Sequence, residues 1–337
     1  MANDIKTVLV TGGAGYVGSV LVPKLLAKGY KVKVLDLYLY EPEVFSSHRG
    51  PALEEIRGDI RDGAVLGRTL RGVDAVIHLA CISNDPSFEL DPELGKSINY
   101  DAMVKIVAHS RSAGVKRFVY ASTSSVYGVK EVENVTEELP LEPLTDYSKF
   151  KAMGEELLMG EGALYFTAVA IRSATVCGYS PRMRFDLTVN ILTNHAWNNG
   201  AIIVLGGEQK RPNIHIEDIT DLYAQLLEFP RDMIHKKIYN FGAMNYSVSD
   251  IARIVKEVVE AEAKRPIKIE YKEAGDDKRS YHISSEKIKR ELDIIPAKSV
   301  RDAVADLCAA FRGGAFEDPL NNEKYFNVKL MRDIRIA

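Results

Sequence analysis

The run Thr7-Val8-Leu9-Val10-Thr11-Gly12-Gly13-Ala14-Gly15-Tyr16-Val17-Gly18 decides the fold. Its first five residues form a short apolar stretch that stops at glycine, as a buried parallel strand does. Val17, Val20, Leu21, Leu25 and Leu26 then recur at helical spacing over Tyr16–Lys28. Gly12, Gly15 and Gly18 therefore sit in a G-x-x-G-x-x-G turn between a strand and a helix. Glycine makes the tight bend and lets backbone approach a pyrophosphate, while the helix N-terminus offers free N–H groups and a partial positive charge. The competing reading is a purely structural turn. Asp36 closes the next strand, Lys31–Asp36, roughly 20 residues on, where an acid can bind the ribose 2′-OH of an adenine dinucleotide. No arginine follows it directly to receive a 2′-phosphate, which favours NAD over NADP. Asp59, in Arg57-Gly58-Asp59-Ile60-Arg61-Asp62, ends a third strand and reads as an adenine neighbour or a plain turn aspartate.

Outward from this unit, strands and helices keep alternating. Asp74–Leu79, Arg117–Ala121 and Phe166–Ile171 read as strands, and about Asp91–Ala113 and Asp146–Met159 as long helices. Such alternation implies βαβ units and a doubly wound parallel sheet of the Rossmann type, an α/β fold. Further strands are expected at Ala201–Leu205, Pro212–Ile216 and Lys237–Phe241. Helices are expected at Glu217–Glu228, Asp250–Ala263, Glu286–Leu292 and Val300–Phe311. This gives a dinucleotide domain over 1–175, a smaller α/β substrate domain over 176–314, and a return of the chain to the first domain at about 215–245. Residues 315–337, rich in turn formers and poor in periodicity, read as a surface tail.

The 337 residues are 46% hydrophobic and 27% charged, with a formal net charge of −3. That balance argues against nucleic acid or an anionic membrane as the main partner. Cys81, Cys177 and Cys308 form no CxxC pair and the histidines no HExxH, so neither a disulfide framework nor a metal site is expected. No apolar stretch reaches about 18 residues, and the expectation is a cytoplasmic protein.

Tyr147-Ser148-Lys149-Phe150-Lys151 places Tyr147 and Lys151 at i and i+4 on one helix face. An ammonium near a phenol lowers its pKa from about 10, so that a phenolate can take a proton from a sugar hydroxyl as hydride leaves the same carbon. Thr123, just after the fifth strand, is placed to hydrogen-bond the same oxygen. Ligand sites of parallel sheets lie at the carboxyl ends of the strands, so these motifs converge on one crevice.

Together TGGAGYVG, GDIRD, HLAC, SINYDAM, STSSVYG, YSKFK and RPNIHIED resemble the extended short-chain dehydrogenase/reductases of the nucleotide-sugar epimerase/dehydratase family, over nearly the whole chain to about residue 313. The resemblance implies a Thr123–Tyr147–Lys151 catalytic set. It places Gly12, Gly15, Tyr16, Val17, Asp36, Asp59, Ile60, Leu79, Ala80, Asn99, Tyr147 and Lys151 around NAD. It implies that Arg211 and Arg279 clamp a nucleotide diphosphate, that Asn190 contacts it or the sugar, and that Thr123, Ser124, Tyr147, Arg182 and Arg184 complete the substrate site. Arginine suits a diphosphate because its planar fork donates two hydrogen bonds at once; an exposed, solvated arginine is the alternative. His78, Cys81, His215 and Asp218 read as structural, the last as a helix cap. The related 4,6-dehydratases carry an Asp-Glu pair after the threonine, where this chain has Ser124-Ser125, and hydroxyls cannot serve as that acid and base. The implied reaction is oxidoreduction at C4 of a nucleotide-diphosphate sugar, with a 4-epimerase as the leading expectation. The run Pro181–Leu187 and the stretch DDKRSY are similar to GDP-heptose 4-dehydrogenases, which gives the alternative of net redox at C4. A non-catalytic NAD sensor is the third reading, and the presence of both Tyr147 and Lys151 argues against it. Ile98, Met103, Ile106 and Val107 exceed one apolar stripe on the first long helix, so a homodimer through the two long helices is expected.

Overall fold

The computed structural model describes residues 4–130, 132, 134–273 and 282–333. The first half runs β1 (Thr7–Thr11), α1 (Gly18–Ala27), β2 (Lys31–Asp36), β3 (Leu53–Arg57), α2 (Gly63–Thr69), β4 (Ala75–His78), α3 (Asp85–Phe88), α4 (Pro92–Lys96), α5 (Ala102–Ser112), β5 (Arg117–Thr123), α6 (Asp146–Gly160) and β6 (Thr167–Ser173). The second half runs β7 (Thr175–Cys177), α7 (Thr188–Asn199), β8 (Ala201–Leu205), β9 (Lys210–His215), α8 (Ile216–Gln225), α9 (Arg231–Ile234), β10 (Lys237–Phe241), β11 (Met244–Ser247), α10 (Val248–Ala263), β12 (Lys268–Lys272), α11 (Glu286–Leu292), α12 (Val300–Arg312) and α13 (Asn327–Asp333).

Seven strands form one parallel sheet in the order β10-β6-β5-β4-β1-β2-β3. The chain moves outward from β1 in both directions, so the β1/β4 boundary is the topological switch point where such sheets open a crevice. The central strands are buried on both faces because helices cover both. Val8, Val10 and Val34 face α1 and α8, whereas Leu9, Val76 and Phe118 face α5 and α6. A separate core binds α7, α10 and α12 to β7 and β8, beside the two-stranded β8–β12 pair. Among the described residues no helix is long and apolar enough to cross a membrane.

Two expectations fail here for identifiable reasons. The helix expected over 91–113 is broken: α4 passes into a wide π turn at Ser97–Asp101 before α5 begins. That turn carries Asn99 onto the loop after β4. Residues 315–337 are not a surface tail over their described part. Phe316 and Tyr325 make edge contacts with Phe185 at 5.0 and 5.2 Å between ring centroids, and Tyr325 and Phe326 are buried. An irregular segment can anchor single aromatics with no periodic signal, and these rings bury large apolar area one at a time.

Candidate active site

At the switch point lies a cleft of about 460 Å³, within the range of small-molecule sites. Gly12 forms its floor with φ +70°, and a Cβ there would stand 2.6 Å from the Ala80 backbone nitrogen. Only glycine lets the turn pass so close to the end of β4. The N-terminus of α1 has no side-chain cap and no acid in its first turn, so its N–H groups and dipole remain available to an anion. Asp36 accepts from the Ala14 and Tyr38 backbone N–H groups at 3.0 and 2.9 Å. Burial pushes its carboxyl above the ordinary range against those N–H groups. A carboxylate offers about four acceptor positions, so Asp36 still has room for ribose hydroxyls. These features fit an adenine dinucleotide.

Gly15, Tyr16, Val17, Asp59, Ile60, Leu79 and Ala80 line the same cleft. Asp59 is held by Arg61 at 2.6 Å. Tyr16 donates to the Gly178 carbonyl at 2.6 Å, so its hydroxyl tethers the loop after β7 to the glycine turn.

Thr123 terminates β5 and caps the turn that follows, accepting from Ser125 N–H at 3.2 Å. On α6, Thr145 and Ser148 form a capping box that fixes the first turn carrying Tyr147. Thr123 and Tyr147 line the same cleft, and the Thr123 hydroxyl acts on the Tyr147 phenol. Lys151 is buried and donates to the Ala121 carbonyl at 2.7 Å, with its ammonium 5.0 Å from the centre of the Tyr120 ring. Gly154 permits this arrangement, because a Cβ there would lie 2.6 Å from the Tyr120 hydroxyl. The sequence expectation that Lys151 lowers the Tyr147 pKa is not met in this structure. Burial, with Cys81 and Asp85 nearby, pushes the phenol up, and the Thr123 hydroxyl opposes them. Lys151 spends its hydrogen bond on a backbone carbonyl instead. His78 beneath the site hydrogen-bonds Thr11 at 2.6 Å, and burial drives its pKa down to about 3, so it is a neutral structural residue.

Ser124, Arg182, Arg184 and Arg211 also reach the cleft. Arg184 grips Asp186 with two hydrogen bonds at 2.9 and 3.0 Å and reaches Ser83 at 2.8 Å. Although burial acts to raise it, Arg184 holds the Asp186 carboxyl below the ordinary range. Asn99 and Asn190 are not brought to the cleft, contrary to expectation. Asn99 exchanges two hydrogen bonds with the Ile82 backbone, and Asn190 holds Gly178 N–H, the Tyr16 hydroxyl and the Arg184 carbonyl. A primary amide can brace a loop as well as hold a ligand, and here both amides brace. Arg279 lies outside the described residues.

Sequence reasoning missed several cleft residues. Asp85 accepts from the Thr145 hydroxyl at 2.5 Å, next to Asn84, whose φ of 78° is unusual for a non-glycine. The Asn84-Asp85-Pro86 triplet carried a turn signal and nothing more. Asp186 lies in the Pro181–Leu187 run, which assigns it no role, and Asn327 and Met331 come from a segment with no motif. Among the described residues, no cluster of His, Cys, Asp and Glu could hold a metal ion.

Residues 8–242 match the family described as NAD dependent epimerase/dehydratase. A UDP-glucose 4-epimerase of Lactobacillus helveticus is 28% identical over 273 residues, covering 74% of this chain and 81% of its own. Epimerase Mth375 of Methanothermobacter thermautotrophicus superposes with a TM-score of 0.83 at 27% identity, over 93% of this chain and 94% of its own. DesIV, a dTDP-glucose 4,6-dehydratase of Streptomyces venezuelae solved with NAD, gives 0.81 at 26% identity, over 95% and 98%. The seven-stranded parallel sheet and the extent of the match agree: the chain belongs to the NAD dependent epimerase/dehydratase family.

Proposed function

We propose that this member of an NAD dependent family of nucleotide-sugar enzymes is a nucleotide-sugar 4-epimerase. The observation that carries the reading is the convergence of Thr123, Tyr147 and Lys151 on one cleft, with Lys151 anchored on the Ala121 carbonyl. Tyr147 Oη takes the proton of the sugar C4 hydroxyl while the Thr123 hydroxyl orients that oxygen. Lys151, anchored on the Ala121 carbonyl, supplies the buried ammonium of the site. NAD, when bound, would supply the hydride acceptor. Tyr147 returns its proton to that oxygen, and hydride delivered to the other face of the ketone would then give the C4 epimer with no net redox.

Elimination of water needs an additional acid and base. The described carboxylates lining the cleft are Asp36, Asp59, Asp85 and Asp186, engaged respectively by backbone N–H groups, Arg61, Thr145 and Arg184. Positions 124 and 125 offer only hydroxyls. Incubation with NAD and UDP-, GDP- or dTDP-hexoses should yield a C4 epimer by NMR, with flat absorbance at 340 nm. Stoichiometric NADH with a 4-keto sugar and no epimer would favour the net dehydrogenase that the Pro181–Leu187 run suggests.

We also propose a homodimer through α5 and α6, on different residues from those first expected. Ile98, Met103, Ile106 and Val107 are buried against the sheet of their own chain. The exposed apolar groups are instead Val104, Met153, Leu164 and Tyr165, on or beside the same two helices. Light scattering at micromolar concentration should give twice the 37.5 kDa chain mass, and a monomer mass would refute the interface.

A further inference from the structure

The loop 178–184 lies across the N-terminus of α1. Ser180 donates to the Tyr16 carbonyl at 2.8 Å and lies 2.7 Å from the Ser19 hydroxyl, which in turn accepts from Arg182 N–H at 3.4 Å. This carries Arg182 over the one helix end that the glycine turn leaves open to an anion. Arg182 is 3% exposed, and its guanidinium stacks on Tyr40, 3.7 Å from the ring centre. Its Nη2 donates to Asn327 Oδ1 at 2.5 Å, while Nε has no hydrogen-bond partner among the described residues. The nearby Asp186 is taken by Arg184. A buried cation with a spare donor and no carboxylate gripping it calls for an anionic ligand. Burial also draws its pKa down to about 10, a cost that a bound anion would relieve.

Two diphosphates could enter this cleft, one on the cofactor and one on the sugar nucleotide, and the position of Arg182 separates them. Tyr40 follows Asp36 on the loop after β2, and the charge of Arg182 acts on Asp36. Arg184, by contrast, bonds Ser83 after β4, and its charge reaches Tyr147 as well as Tyr40. Arg182 thus stands at the adenosine side of the cleft and Arg184 toward the reacting side.

We propose that Arg182, held by Asn327, binds the diphosphate of NAD rather than that of the sugar nucleotide, so that residues 324–331 form part of the cofactor site. Asn327 is the positioning residue. Its amide reaches Ser83 at 3.3 Å and its N–H donates to Asp186 at 3.1 Å, while Lys324 pairs with Glu41 at 3.2 Å and Met331 lines the cleft. The C-terminal segment therefore touches all three loops that would enclose the dinucleotide. This inference rests on the family's cofactor and not on which sugar reacts.

The test follows release of NADH, by its fluorescence, from loaded protein diluted into excess NAD. Loss of a charge-assisted contact should speed release about 100-fold in Arg182→Met and about tenfold in Asn327→Leu. Asn327→Asp keeps the acceptor for Arg182 and should stay within about threefold of the unaltered protein. Calorimetry of UDP, GDP and dTDP with NAD-saturated protein should show less than about a threefold change in Arg182→Met. If melting shows that Arg182→Met does not fold, Arg182→Lys carries the test: it keeps charge but loses the fork and the stack, and should release NADH about tenfold faster. Unchanged NADH release in the folded Arg182 variant overturns the proposal, whether or not nucleoside diphosphate binding falls. Release as fast in Asn327→Asp as in Asn327→Leu removes Asn327 from it. Failure of the unaltered protein to retain NADH would instead refute the cofactor reading itself.

Discussion

Tyr147→Phe is expected to lower kcat at saturating NAD by about 100-fold or more, the usual worth of a positioned general acid–base group. NAD affinity should barely move, because the ring keeps its packing beside the core formed by α5, α6 and the sheet and only the hydroxyl is lost. Two comparisons give the result its meaning. Lys151→Met removes the ammonium from Ala121 and the face of Tyr120, so turnover and cofactor binding should both suffer. Asp36→Ala removes the acceptor at the end of β2 and should raise the KM for NAD while affecting kcat much less. Steady-state kinetics of the three variants decide the matter. Wild-type kcat in Tyr147→Phe would assign the proton to another group and end the mechanism given above.

The largest loss of stability is expected at Arg172→Met. Arg172 on β6 meets Glu155 on α6 through hydrogen bonds of 2.7 to 3.1 Å, with side chains 4% and 2% exposed. Glu155 also accepts from the Ser122 hydroxyl, and Arg172 donates to the Tyr127 hydroxyl at 2.7 Å, which in turn donates a hydrogen bond to Asn240 Oδ1 on β10. Removing the guanidinium strands a buried carboxylate two turns along the helix from Tyr147, at a cost of about 3–5 kcal/mol. Against a total stability of about 5–15 kcal/mol, that should lower the melting temperature by about 10 °C in a circular dichroism scan. Removing both charges, in Glu155→Leu/Arg172→Met, should restore most of the loss, since a well-packed apolar pair is no worse than a buried ion pair. A single variant that melts with the unaltered protein would show that the pair contributes nothing.

What the sequence made legible was local. The glycine turn and Tyr-x-x-x-Lys each depend on residues within one turn of a helix, so spacing alone places Gly12, Gly15, Tyr147 and Lys151 on the correct elements. Asn99 and Asn190 show the opposite case. An asparagine inside a helix looks the same whether it faces a ligand or braces Ile82 and Gly178, and only the π turn and the packing of α7 decide. Asp85, Asp186 and Asn327 were illegible because their surroundings come from segments up to 244 residues apart, as between Ser83 and Asn327.

The return of β10 to the edge of the main sheet bears on how the protein can be made. Until residue 241 has left the ribosome, β6 presents an unpaired edge, the Tyr127 hydroxyl lacks Asn240, and Arg117 lacks the Leu226 and Phe229 carbonyls that it binds at 2.6 and 2.7 Å. An unpaired central strand is a template for association between nascent chains. The first 175 residues are therefore not a unit that can be cut out for expression or swapped onto a foreign substrate domain. A chimera must either carry residues 216–241 with its cofactor half or be built as a permuted gene that places them beside β6 in the order of synthesis.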